Sequence, residues 1–148
     1  MKDQRTEPDR TRAWAMILIG WGLCIIIVCS FPWGIDSPRW DRVRFIPLLD
    51  VLRWPSPRLL QDAIANVLLY MPLGFAYARV RRIAGATFMY EAAFIGLFLS
   101  MTCELYQVFS PVRYPSMTDV LMNTIGAFAG ASIARKWVVT PGATLRSV

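Results

Sequence analysis

Hydrophobic residues in this chain fall into four long runs with few or no charges, separated by shorter segments rich in Arg and Pro. Each run approaches the ~20 residues that cross a bilayer core. The pattern predicts helices over residues 14–31, 63–78, 88–108 and 118–139. The first is ended by Pro32. The second is opened by Asp62, closed by Arg79, Arg81 and Arg82, and should be kinked by Pro72, which membrane helices tolerate. The third has Glu91 near one end and Glu104 near the other. The fourth ends at Arg135 and Lys136, which can snorkel. Residues 36–61 read as a connecting loop with five arginines, four prolines, Trp40 and Trp54. Its apolar patches, 45–49 and 51–52, are too short to span. They suit a loop lying on the membrane surface or, equally, a solvated loop with a few buried anchors. The expected architecture is an all-α polytopic membrane protein with four transmembrane helices. A frayed polar arm at 1–13 precedes the four-helix domain at 14–139, and a disordered tail follows at 140–148.

Composition sharpens the membrane assignment. The 148 residues are 55% hydrophobic, with mean hydropathy +0.41 and six Trp. The first run is long and lacks an A-x-A cleavage site, so it reads as an uncleaved helix, not a signal peptide. Trp14 and Trp21 read as lipid contacts and an interface anchor. A net charge of +6 in such a chain sets topology and meets anionic headgroups. No nucleic-acid partner is implied. With four spans both termini share one side. That side holds four Lys and Arg in the arm, three at Arg79–Arg82 and three from Arg135 onward, against six on the other. The positive-inside rule then makes the termini cytoplasmic, and the expected location is the inner (plasma) membrane. There is no histidine, which removes the commonest general base and zinc ligand. Cys24, Cys29 and Cys103 sit in apolar runs without C-x-x-C spacing and read as small core residues.

Polar residues interrupt the apolar pattern most pointedly between Ser100 and Gly130. Pro111 and Pro115 break helix around Arg113, so the third and fourth helices form an antiparallel hairpin. Glu104, Gln107, Arg113, Asp119 and Asn123 then gather at one end of it. Asp62 and Asn66 share a helix face at i,i+4. Asp119, Asn123, Gly126 and Gly130 lie within about 60° of one another on the fourth helix. Gly126-x-x-x-Gly130 permits close approach of a neighbouring helix.

Three carboxylates with an arginine can act in several ways. Close carboxylates push their pKa values apart and can divide acid and base roles. Carboxylate and amide oxygens suit Mg²⁺ or Ca²⁺. Arg113 can grip a phosphate or carboxylate with its planar fork. The candidate catalytic residues are Glu104, Arg113, Asp119 and Asp62. The candidate ligand-binding residues are Asn66, Gln107 and Asn123. No cofactor is identifiable. The structural alternative is that Asp62 and Asp119 cap helix N-termini while Arg113 neutralises an acid. Glu91 reads as a partner for Arg81 or Arg82.

These residues, in order, resemble the VanZ-like family of bacterial membrane proteins. The pieces are Ile46-Pro47, D-x-x-x-N at Asp62 and Asn66, and Met71-Pro72-Leu73-Gly74. E-x-x-Q at Glu104 and Gln107, Arg113, and D-x-x-x-N-x-x-G at Asp119, Asn123 and Gly126 follow. Leu48 departs from the phenylalanine frequent in the family after the proline. The family is named for a teicoplanin-resistance accessory protein. The resemblance implies a place in the bacterial cell envelope and a link to glycopeptide antibiotic resistance. The partners expected are membrane lipids and a lipid-linked or phosphate-bearing envelope component. The competing expectation is a non-catalytic scaffold that packs against envelope proteins through Gly126 and Gly130.

Overall fold

The computed structural model describes residues 7–53, 55–81 and 86–138. Within them the chain is all-helical. It has α1 (Glu7–Ser30), α2 (Leu49–Arg53), α3 (Pro57–Arg81), α4 (Thr87–Gln107) and α5 (Met117–Val138), with a 3-10 turn at Trp40–Arg42. Residues 1–6 of the expected N-terminal arm, the C-terminal tail, Trp54 and Arg82 lie outside the described residues.

Two helices start earlier than their hydropathy predicts. α1 begins at Glu7, taking in Arg10 and Arg12, because Glu7, Pro8 and Asp9 are favoured in a first turn. α3 begins at Pro57. The Ser56 hydroxyl accepts the Leu59 N–H at 3.3 Å, and Pro57 occupies the first helical position, where no N–H is needed. Asp62 therefore sits more than a turn inside α3. Pro72 lies within α3, which runs on through it to Arg81.

Three helices, α1, α3 and α4, are long and apolar enough to cross a membrane. α5 has comparable length, 22 residues, but Asp119, Asn123 and its many small residues lower its hydropathy. The smallness has a packing reason. A Cβ at Gly126 would collide with the Val67 carbonyl and one at Gly130 with the Met71 carbonyl. From the other side, a Cβ at Gly74 would strike the backbone of Ala127. Backbone thus meets backbone along α3 and α5. Gly96 brings α4 equally close, since a Cβ there would stand 2.6 Å from the Ala127 Cβ.

α1 lies antiparallel against α3. The Trp14 and Phe75 rings are 5.6 Å apart, Arg79 stacks over Trp14 at 5.3 Å, and the Trp21 indole N–H donates to the Leu69 carbonyl at 2.8 Å. Both tryptophans are helix–helix contacts, which corrects their assignment to lipid. At this end Glu91 accepts from Tyr77 at 2.5 Å and from Arg81 at 3.1 Å, tying α3 to α4.

At the opposite end the two long connections are stitched together. Asp36 N–H donates to Phe109 O at 2.8 Å and Arg39 N–H to Val108 O at 2.9 Å. Arg44 and the start of α5 pair through Arg44 N–H to Pro115 O at 2.9 Å and Met117 N–H to Arg44 O at 3.0 Å. The Leu48 N–H donates to the Thr118 hydroxyl at 2.9 Å, which holds Leu48 at its left-handed φ of 62°. The Ser37 N–H, and then the Arg39 guanidinium, hold the Asp36 carboxyl below its ordinary range. Residues 36–48 thus lie against the α4–α5 link, although Phe45 and Ile46 keep more than half their surface exposed.

Candidate functional site

Under this stitched end lies a cleft of about 370 Å³, within the size range of small-molecule sites. All seven residues singled out in the sequence line it: Asp62 and Asn66 from α3, Glu104 and Gln107 from α4, Arg113 from the link, Asp119 and Asn123 from α5. Asp62 stands exposed at the rim, Arg113 and Asp119 are half-buried, and Glu104, Gln107 and Asn123 are buried.

Each helix delivers its residues for a local reason. Ser116 is the N-cap of α5. Its hydroxyl accepts the Thr118 N–H at 3.2 Å and its carbonyl the Asp119 N–H at 3.1 Å. In a capping box the third helical residue, here Asp119, would reach back to the Ser116 N–H. Instead Glu104 accepts that N–H at 2.7 Å across from α4. Asp119 is thereby released from the capping-box role, and it shares the cleft lining with Asn66, Asp62, Arg44 and Arg113. Ser56 likewise caps α3 in place of Asp62. Asp119 keeps a place in the first turn of α5, where the helix dipole favours an acid, while Asp62 lies inside α3. The capping falls to two serines.

Besides Glu104, two more of the seven have structural bonds. Gln107 donates to the Cys29 carbonyl at 2.9 Å, closing the end of α1 onto α4. Asn123 donates through Nδ2 to the Ser100 hydroxyl at 2.8 Å. Its Oδ1 is buried and has no hydrogen-bond partner among the described residues, and the same is true of Arg113 Nε. Among the described residues no three of His, Cys, Asp and Glu converge to hold a metal ion. A divalent cation here would have to draw on amide or backbone oxygens as well.

The sequence reading missed Arg44, Tyr114, Ser116 and Thr118, which also line the cleft. Arg42 and Arg44 both lie over the Tyr114 ring, at 5.3 and 5.8 Å, and Arg42 donates to the Pro111 carbonyl at 2.6 Å. Five arginines in one loop offered no reason to choose Arg44. The proximity of Ile46-Pro47, a motif in a segment with no regular pattern, was the available hint.

Three apolar membrane-crossing helices with a polar cleft at one end define a helical integral membrane protein. The model of the VanZ/LLP1 family matches residues 14–139, so the chain belongs to that family. Neither a curated protein nor a solved structure matches it.

Proposed function

We propose that the cleft binds an anionic, phosphate-bearing component of the bacterial cell envelope at the outer boundary of the inner membrane. On this reading α5 is the fourth span. Its 22 residues reach ~33 Å, enough for a ~30 Å core, and its enclosure by α3 and α4 removes the need for an apolar surface. Both termini are cytoplasmic. Arg113 grips the anion, with Arg44 beside it, and Asp62, Glu104 and Asp119 supply acid–base chemistry or accept donors from the bound group.

One observation carries the reading. Seven polar side chains from α3, α4, the link and α5 converge on one cleft, and the helix capping that would explain the aspartates is done by serines. The scaffold reading loses its main support, because Gly126 and Gly130 are buried against α3 of the same chain.

The test is ligand-dependent stability in neutral-lipid nanodiscs. An anionic phospholipid should raise the melting temperature of the wild type, since a ligand of the folded form must. Arg113→Lys keeps the charge without the fork, and Asp119→Asn keeps the shape without the charge. Both should insert and fold yet lose the ligand-dependent rise. If both retain it, the cleft is not the site. If both fail to accumulate, the cluster is structural.

A further inference from the structure

The cleft has two kinds of wall. One is charged and hydrogen-bonding, and deepens from the exposed Arg44 and Asp62 to the buried Glu104 and Asn123. The other is apolar: Val28 at the end of α1, and Leu59, Ala63, Ala65 and Leu69 along the first half of α3. This second wall runs into Leu60, Ile64 and Leu68, each at least half exposed on a helix apolar enough to cross a membrane. The α1–α3 contacts through Trp14 and Trp21 involve Phe75 and the backbone carbonyl of Leu69, at the inner end of this apolar wall. The cleft therefore borders the surface that α1 and α3 turn toward lipid.

The polar wall has two unmet groups of opposite kind. Asn123 is 3% exposed, and its Oδ1, an acceptor, has no partner among the described residues. Arg113 Nε, a donor, is in the same condition. A ligand that satisfies both must bring an acceptor and a hydrogen-bond donor. The three lining carboxylates, Asp62, Glu104 and Asp119, outnumber the two lining arginines, Arg44 and Arg113. A purely anionic group would face that excess of acid unassisted, whereas hydroxyl donors are welcome there.

The geometry points to a membrane-resident amphiphile as the ligand: its chain lies along the Val28–Leu59–Leu69 wall, and its headgroup joins a phosphate at Arg113 to a hydroxyl donated to Asn123 Oδ1. This rests on the anion-binding reading above and adds two requirements to it, the apolar chain and the donor.

Three probes separate them, using the full chain in phosphatidylcholine nanodiscs and thermal stability as readout. Phosphatidylglycerol carries chain, charge and hydroxyls. Phosphatidylmethanol has the same chains and charge but no donor. Glycerol 1-phosphate has the headgroup without the chain. Phosphatidylglycerol is expected to half-saturate at a mole fraction about tenfold below phosphatidylmethanol, because a buried acceptor left unmet is costly. Glycerol 1-phosphate should give no shift at millimolar concentration. Asn123→Asp keeps an acceptor and should keep the preference, while Asn123→Leu should abolish it. Ala65→Trp, which fills the apolar wall at an exposed position, should weaken both lipids. Equal effects of the two lipids overturn the donor requirement and leave the anion site standing. An equal shift from glycerol 1-phosphate overturns the chain requirement. No shift from any probe overturns the site itself.

Discussion

Glu104 shows how one side chain can belong to both fold and site. Its carboxylate accepts the Ser116 N–H and so completes the start of α5, yet it also lines the cleft. Glu104→Gln keeps an acceptor oxygen and should cost little stability. Glu104→Ala leaves a buried N–H unsatisfied and should cost about 1–3 kcal/mol. Ser116→Ala removes the cap and should cost about 1 kcal/mol, more than Asp119→Asn, which removes no cap. Thermal melts of the four variants in one detergent check the order. If Asp119→Asn proves the most damaging, Asp119 is structural after all. Six of the seven site residues were legible because each is polar on an apolar helix, where lipid cannot solvate it, and Arg113 because Pro111 and Pro115 set it in the link between two such helices. Asp62 was misplaced at a helix start because hydropathy sees only where the apolar run begins. The cap that starts α3, Ser56, lies six residues before Asp62 and is followed by Pro57.

At the scale of elements, the α3–α5 pair decides where the cleft lies. Gly126 and Gly130 set α5 against the carbonyls of Val67 and Met71, only a turn or so beyond Asn66. Asn66 and Asp119 are thereby brought to the same cleft. Gly130→Ala already places a Cβ into the Met71 carbonyl and should lower the melting temperature clearly, with Gly130→Leu worse. Gly20 is the control, because a Cβ there meets nothing within 4 Å. Gly20→Ala should be neutral or stabilising by up to about 1 kcal/mol, the helix-propensity difference. If Gly130→Ala and Gly20→Ala melt alike, the close approach of α3 and α5 is wrong. The α4–α5 hairpin and the small-residue face were readable from prolines and glycine spacing. The seating of 36–48 on the α4–α5 link was not. It depends on backbone bonds from Asp36, Arg39 and Arg44 that no side-chain pattern encodes.

For the whole molecule, the open question is which face of the membrane the cleft addresses. Arginines alone give a narrow margin, since both ends carry several. The structure gives a reason to discount one end. Arg39 pairs with Asp36 at 3.0 Å, Arg42 bonds the Pro111 carbonyl, and Arg42 and Arg44 stack on Tyr114. These arginines have structural employment near the cleft, so their number says less about topology. At the other end Arg81 bonds Glu91 and Arg79 stacks on Trp14, while Arg135 and Lys136 are exposed at the end of α5. The orientation proposed above puts this end, away from the cleft, in the cytoplasm, as the positive-inside rule favours. Single cysteines in a background without Cys24, Cys29 and Cys103 test this. Ser37 is exposed on the cleft side and Ala86 is exposed between α3 and α4, whereas Ser116 is a buried cap and unsuitable. A membrane-impermeant maleimide applied to intact spheroplasts should label Ser37→Cys and spare Ala86→Cys until the membrane is opened. The reverse pattern would turn the cleft toward the cytoplasm and exclude any ligand confined to the outer leaflet.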